Sequence, residues 1–276
     1  VKYKRQQVQI RDFASYIKKT NYYADLFTFQ EIQENKELKK VKVNNDKFKI
    51  IYRKTGAAHY YTYFNKTREY KVEEINHGCA VAFNTEKFKL VDTYEKHLIP
   101  EKEGYLPRST PFVILENRDT NSIFAILSLH GLIFDPASSA KLKRAEYFFR
   151  NVKKAIKEVF KEYRPDYMII GTDLNTDINR PKLNAFEDKS PEYMKDLKIN
   201  GPIFKDLVGD FKQFLENNNI GTSIDQKIRT NYNYDENKDL SFYEKIDFVL
   251  HTKKLKNDGW NLNCQQYMGT KPKKSS

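Results

Sequence analysis

Short apolar stretches flanked by polar residues alternate along the chain with longer amphipathic ones. The short stretches are rich in β-prone residues and predict buried strands. In residues 8–19 the apolar positions recur every three or four residues instead, which predicts an amphipathic helix. The predicted strands cover residues 24–29, 48–52, 79–83, 88–91, 111–115, 123–129, 167–170 and 246–250.

The strongest helical pattern covers residues 141–163. Its apolar residues, such as Phe148, Val152 and Ile156, fall on one face, and lysines occupy the opposite face. Pro165 ends this helix because proline cannot continue the hydrogen-bonding pattern. Two further elements are predicted, namely a hairpin turn at residues 84–87 and a helix around residues 207–215.

Residues 54–77 break the alternation and are predicted to be irregular. The segment interleaves aromatic residues, such as Tyr61, with basic ones, such as Lys66. This mixture suits nucleic-acid binding, because aromatic rings stack on bases and cations hold phosphates. It equally suits a loop whose aromatic side chains pack on the core. Both interpretations stay open.

The composition is that of a folded domain with a basic excess. The 276 residues are 39% hydrophobic and 31% charged, and no apolar run is long enough to span a membrane. The formal net charge of +12 favours nucleic acid or another polyanionic partner, and it equally suits a lysine-rich composition that only keeps the protein in solution. Cys79 and Cys264 allow either one disulfide or two thiols. A secreted or cell-surface location would follow if a leader precedes Val1.

Polar residues with catalytic potential follow three predicted strands. Glu31, His130 and Asp173 each come after a different strand, and Asn175 lies two residues beyond Asp173. Ligands bind at strand ends in α/β folds, so these side chains are expected to converge. Each residue alone is more simply a turn or core residue.

The residue types suit phosphodiester hydrolysis. A single carboxylate such as Glu31 suits Mg²⁺, with Mn²⁺ or Ca²⁺ as alternatives. Asp173 would orient or deprotonate the attacking water. Asn175 and His130 would donate to the phosphate oxygens, where negative charge builds up in the transition state.

Four segments in this order resemble motifs of the endonuclease/exonuclease/phosphatase superfamily, to which deoxyribonuclease I belongs. The resemblance covers about residues 8–250, and it implies a two-sheet β-sandwich flanked by helices, an α/β (α+β) fold with its site at one edge. The four segments are Phe29-Gln-Glu-Ile-Gln33, Ser128-Leu-His130, Gly171-Thr-Asp-Leu-Asn175 and Lys245-Ile-Asp-Phe-Val249.

The resemblance also implies a role for each matched residue. Glu31 would be the metal ligand and His130 would contact the scissile phosphate. Asp173 and Asn175 would position the nucleophile and the phosphate, and Asp247 would lie just behind the metal and the catalytic histidine. Arg108 would brace the site and Thr230 would donate to phosphate, while Tyr61 and Lys66 are further candidates for substrate binding.

Three departures from the family pattern bear on these roles. The family begins with an Asn-ending strand, which here would precede Val1, and it closes with Ser-Asp-His, for which His251 has the wrong spacing. We therefore expect residues 1–276 to be a single domain that lacks its first and last strands. Thr172 reads as one residue inserted into the usual Gly-Asp pair.

These observations allow three functions. The first is a metal-dependent endonuclease that hydrolyses DNA. The second is a phosphoesterase of the same fold that acts on lipid or inositol phosphates, since basic charge also suits anionic membranes. The third is a non-catalytic nucleic-acid-binding member.

Overall fold

The computed structural model of the protein describes residues 25–32, 48–64, 70–99, 108–131, 138–179, 191–222, 231–234, 240–244, 247–253 and 255. The helix predicted over residues 8–19 lies outside these ranges. The elements in chain order are β1 (Leu26–Ile32), β2 (Phe48–Phe64), β3 (Tyr70–Asn84), β4 (Phe88–Ile99), β5 (Arg108–Asn117), β6 (Ile123–His130), α1 (Ser139–Tyr163), β7 (Tyr167–Asp173), α2 (Pro191–Asn217), β8 (Ile220–Thr222), β9 (Asn231–Tyr234), β10 (Leu240–Glu244) and β11 (Asp247–Thr252).

The strands form two sheets that pack face to face. The larger sheet has the order β4-β5-β6-β7-β11-β8, and the smaller has the order β1-β3-β2. β9 and β10 pair separately as a two-stranded ribbon. The predicted fold class, a two-sheet β-sandwich with helices, is confirmed.

Two apolar layers hold these elements together. Between the sheets, Val81 and Phe83 of β3 pack against Val113 of β5 and Ile126 of β6. On the outer face of the larger sheet, α1 and α2 cover a second and larger core. Each fully buried large side chain in these layers contributes roughly 1.5–3 kcal/mol through the apolar surface it removes from water.

Strands β6 and β7 are parallel neighbours joined by the crossover helix α1. Phe148, Val152 and Ile156 of this helix are fully buried, as its apolar periodicity predicts. The helix ends at Arg164, a left-handed residue with φ of 45°, directly before Pro165. Because the strands run in parallel, both end at the same edge of the sheet.

The described residues 54–64 and 70–77 are strands and not irregular, so the prediction is wrong for this part of the segment. β2 and β3 form one long hairpin in which Ala58 to Phe64 pair with Asn76 to Tyr70. The pairing register shifts between Lys54 and Ala58, around a Gly-Ala-Ala stretch that breaks the apolar pattern. Aromatic residues have a high strand propensity, which agrees with the pairing beyond this irregularity.

Helix α2 is far longer than the predicted residues 207–215. It includes Gly201 and Pro202, which are ordinarily turn signals and which conceal its first half in the sequence. Its buried residues, including Phe204, Val208 and Phe211, face α1 and the sheet. Neither helix in the described part of the chain combines the length and apolar character needed to cross a membrane.

Candidate active site

Three of the predicted site residues occupy one level across three neighbouring strands. His130, the last residue of β6, lies opposite Asp173, the last residue of β7. Asp173 is in turn the pairing partner of Asp247, the first residue of β11. Neighbouring strands are about 4.8 Å apart, so these three backbones lie within about 10 Å at one edge of the sheet.

The side chains of His130 and Asp173 lie on the face that meets the smaller sheet. Alternate residues of a strand share a face, and Ser128 and Gly171 are the preceding members of the two sets. Ser128 contacts β1, and a Cβ on Gly171 would lie 1.7 Å from Oγ1 of Thr28. His130 is buried, with 5% of its surface exposed, whereas Asp173 is half-buried.

Strand β1 carries a β-bulge where the sequence predicts the metal ligand. Phe29 pairs with Ala80 and Ile32 pairs with Gly78, so the two residues Gln30 and Glu31 lie opposite a single residue of β3. Bulges bend a strand locally and redirect its side chains, and they are frequent next to active sites. The structure places the backbone of Glu31 within this bulge.

Gln30 ties the bulge to the larger sheet. Its Nε2 donates to Oγ of Ser128 at 3.0 Å and to the carbonyl oxygen of Gly171 at 2.9 Å. Ser128 Oγ donates in return to the carbonyl oxygen of Phe29 at 2.7 Å. These bonds reach β6 and β7 two residues before His130 and Asp173, and so bring the bulged end of β1 to the edge where those residues lie.

The sequence alone assigns no separate role to Gln30 or Ser128, although both residues lie within the four motif segments. Ser128 is fully buried, and its carbonyl oxygen accepts a hydrogen bond from Oγ1 of Thr110 on β5. A buried hydroxyl that bonds across two sheets stabilises one particular alignment of those sheets. In the sequence, the signal that could have identified this brace is a polar residue, Gln30 or Ser128, within each of two otherwise apolar strand ends.

The segment after β7 folds back over the end of β6. Asp173 Oδ1 accepts from the backbone N–H of Asn175 at 2.9 Å, and the Asp173 carbonyl oxygen accepts from Gly131 N–H at 2.6 Å. Asn175 has φ of 53°, and its Nδ2 donates to the Gly131 carbonyl oxygen at 3.4 Å. A Cβ on Gly131 would lie 2.4 Å from the carbonyl oxygen of Leu174, so this close approach requires glycine.

Thr172, which the family pattern presents as an inserted residue, causes no bulge in β7. It lies in unbroken register opposite Leu129 on β6 and Phe248 on β11. Thr172 therefore occupies a regular strand position, and the placement of Asp173 is unaffected. Its Oγ1 is buried and has no hydrogen-bond partner among the described residues.

The donors at this edge are chemically suited to a hard divalent cation. Glu31, Asp173 and Asp247 would offer carboxylate oxygens, which Mg²⁺ prefers over soft sulfur ligands. Among the described side chains, no group of three His, Cys, Asp or Glu residues is placed to hold a metal ion. A cation here would therefore depend on Glu31 or Asp247, whose backbones the structure places at the same edge.

Of the other predicted site residues, two have described backbones and two lie outside the described residues. Arg108 begins β5, which runs antiparallel to β6, so its backbone lies at the same end of the sheet. Tyr61 lies on β2 seven residues beyond Lys54, about 23 Å along the hairpin. Lys66 and Thr230 lie outside the described residues.

Two further sequence features are clarified. His251 pairs with Ile169, four residues along β11 from Asp247 and about 13 Å away, so it does not join this edge. Asp177 accepts from the backbone N–H of Asn179 at 2.8 Å, as expected of a turn residue.

The chain resembles known proteins in its structure and not in its sequence. No protein-family model and no curated protein sequence matches the chain. An endonuclease/exonuclease/phosphatase family protein of Bacteroides thetaiotaomicron matches with a TM-score of 0.57 and 16% identity, covering 91% of this chain and 75% of its own. The mannosyl-6-phosphatase Bt3783 of the same organism matches with a TM-score of 0.56 and 15% identity, covering 91% and 80%.

A third similar structure is the human Nocturnin catalytic domain with a bound sulfate anion. It matches with a TM-score of 0.54 and 12% identity, over 89% of this chain and 75% of that domain. The protein therefore has the deoxyribonuclease I-like fold of the endonuclease/exonuclease/phosphatase superfamily. The resemblance predicted from the four motifs is confirmed at the level of the fold.

Proposed function

We propose that this protein is a metal-dependent phosphodiesterase that cleaves DNA internally. One observation carries the proposal, namely that β6, β7 and β11 bring His130, Asp173 and Asp247 to one level. The bulged end of β1, which contains Glu31, is tied to the same edge through Gln30. Four motifs that are distant in the sequence thus meet at one place.

Each side chain has a definite task in the proposed reaction. Asp173 is half-buried beside the turn that its own carboxylate closes, and it would orient the attacking water and receive its proton. Asn175 is held in a left-handed conformation close to His130, where its amide would donate to a non-bridging phosphate oxygen. His130 would contribute a second donor, because a buried ring at a strand end keeps a fixed orientation.

Glu31 would hold the cation, with Asp247 close behind it. A bound Mg²⁺ would supply a Lewis acid that polarises the phosphoryl oxygen and neutralises developing charge. The Gln30 brace would set the distance between Glu31 and Asp173, because it connects β1 to β7 directly.

Charge favours a nucleic acid as the substrate. The net charge is +12, and a polyanion gains affinity from every phosphate that a basic residue neutralises. The β2–β3 hairpin continues past the pairing level of Ile32, so it extends beyond the edge at which β1 ends. This hairpin carries the aromatic and basic residues for which we propose contacts with DNA, Tyr61 among them.

The decisive experiment incubates supercoiled plasmid with the full-length protein and Mg²⁺, with and without a chelator. We expect nicked and linear products only when the metal is present. Asp173→Asn should lower the rate by at least about a hundredfold, since it removes the base. Asp177→Asn is the matched control, because its carboxylate closes a neighbouring turn without joining the proposed chemistry. Absence of metal-dependent nicking would overturn the proposal.

A phosphoesterase that acts on sugar, inositol or lipid phosphates is the second candidate, because one similar structure is a mannosyl-6-phosphatase. The same preparation should be assayed with sugar phosphates, inositol phosphates and phospholipid head groups. Release of phosphate or of a head group with intact plasmid would favour this second function. Binding of DNA without hydrolysis of any substrate would instead identify a non-catalytic member.

A further inference from the structure

A groove with cationic walls runs between α1 and α2 on the outer side of the helix layer. Its volume is about 610 Å³. Five basic side chains from α1 line it, against two carboxylates, and Gln213 and Asn217 of α2 add amide groups. The basic residues are Arg150, Lys153, Lys154, Lys157 and Lys161.

Three of these lysines form a regular row. Lys153, Lys157 and Lys161 are four residues apart, so neighbouring members lie about 6 Å apart along the helix axis. None of the three forms an ion pair with a described residue. Like charges at this spacing repel each other and weaken a helix, so the row has a cost that an anionic partner would remove.

The two carboxylates of the groove, Glu158 and Asp210, compensate its five basic side chains only in part. Glu158 already forms an ion pair with Lys96 of β4, and its Oε1 lies 3.9 Å from Nζ of Lys154. The Nζ of Lys157 lies 5.7 Å from the ring centroid of Phe214, which is 9% exposed and forms part of the floor. The groove therefore offers cations along its length, and Phe214 is the one large apolar side chain among the described residues of its lining. The exposed apolar residues of α2, Met194, Ile199 and Ile203, lie outside it.

We propose that this groove is a second binding surface that holds the phosphodiester backbone of a nucleic acid. A lipid surface fits less well, because helices that bind membranes present exposed apolar side chains beside their basic ones. The choice of a nucleic acid as the polyanion rests on the proposed function. The cationic row itself does not depend on that function.

The groove is remote from the candidate active site. α1 ends at Tyr163, shortly before β7 begins, so the lysine row lies towards the end of β7 opposite Asp173. Along the strand direction the separation between Lys161 and Asp173 is on the order of 20 Å, the length of β7, and the larger sheet lies between the two surfaces. A duplex rises 3.4 Å per base pair, so a substrate must extend at least about 6 base pairs beyond the cleaved bond to reach both surfaces.

Binding of fluorescent duplexes in the presence of a chelator tests the proposal without requiring catalysis. The variant K153Q/K157Q/K161Q should bind a duplex of about 30 base pairs at least tenfold more weakly than the unaltered protein. The slope of log affinity against log salt should flatten by about 3, one unit for each lost phosphate contact.

Two matched variants make the result specific. K195Q/K198Q/K205Q removes the same charge from exposed positions of α2 outside the groove, and it should bind within twofold of the unaltered protein. K153R/K157R/K161R keeps the charge and should retain binding. The melting temperature of K153Q/K157Q/K161Q should not fall, since the neutral row removes repulsion.

Three outcomes would overturn the proposal. Equal weakening by both glutamine variants would show an effect of total charge alone, and no weakening by either would show that the groove binds no DNA. Loss of binding to phosphatidylserine vesicles in the groove variant, with DNA binding unchanged, would assign the surface to membranes. Failure of plasmid nicking with groove-dependent binding intact would count against the proposed catalysis only.

Discussion

Gln30 of the smaller sheet donates a hydrogen bond to the backbone of Gly171 in the larger one, at 2.9 Å. The two residues are 141 positions apart in the sequence, and each immediately precedes a predicted catalytic region. This contact joins the bulged end of β1 to the strand that ends in Asp173. The candidate active site is therefore assembled across the gap between two sheets.

Replacing Gln30 by alanine should disrupt that assembly. The change removes the bonds to Ser128 and Gly171 and should destabilise the protein by about 1–3 kcal/mol, as measured by urea denaturation. The apparent affinity for Mg²⁺ in the plasmid assay should also fall. Gln213→Ala is the control for the denaturation measurement alone, because its amide bonds to Asn217 at an exposed site and the change should cost under about 0.5 kcal/mol. Equal effects of the two variants would contradict the proposed brace.

Gly131→Ala should be destabilising by about 1–3 kcal/mol, because the new methyl group would overlap the Leu174 carbonyl. Activity should fall by more than the loss of folded protein accounts for, because relief of the overlap displaces Asn175 or His130. Gly209→Ala provides the comparison, because its new methyl group would have no neighbour within 4 Å and the site is within a helix. That variant should be stabilised by up to about 1 kcal/mol. Thermal unfolding measures the stability of both variants, and their activities are compared at equal fractions of folded protein.

Asn175 combines a backbone role and a chemical role that two variants can separate. Asn175→Gly keeps the left-handed conformation but removes the amide, so activity should fall about 10²–10³-fold with little change in stability. Asn175→Ala should lose the same activity and in addition about 1 kcal/mol of stability.

Asn121 is the matched control for Asn175, because it has φ of 56° in the turn between β5 and β6. Asn121→Ala should be destabilised to a similar extent with unchanged activity at 25 °C. Activity that survives in Asn175→Gly would show that the side chain does not act on the substrate.

Thr172→Val tests the strand position that the sequence presents as an insertion. The buried hydroxyl of Thr172 has no partner among the described residues, so its removal should be neutral or stabilise the protein by about 1 kcal/mol. Thr110→Val is the opposite case, because its hydroxyl donates to the Ser128 carbonyl oxygen. That variant should lose about 1 kcal/mol in the same denaturation experiment. Destabilisation of both variants to the same extent would indicate a partner for Thr172.

The sequence predicts most strands and the order of the site motifs, because apolar runs and chain order are local properties. It does not predict that His130 and Asp247 flank Asp173, since pairing register depends on which strands become neighbours. The bulge at Glu31 is equally hidden, as it exists only relative to β3. The long hairpin is missed because Gly56 interrupts a pattern that cross-strand pairing later restores.

The division of the site between two sheets has a consequence for folding. Glu31 belongs to the smaller sheet, while His130 and Asp173 belong to the larger one. An intermediate with intact strands but separated sheets would keep its circular dichroism and lose its catalytic geometry. If such an intermediate accumulates in denaturant, enzymatic activity will vanish before the strand signal does. Catalysis would then serve as a sensitive reporter of sandwich closure in this protein.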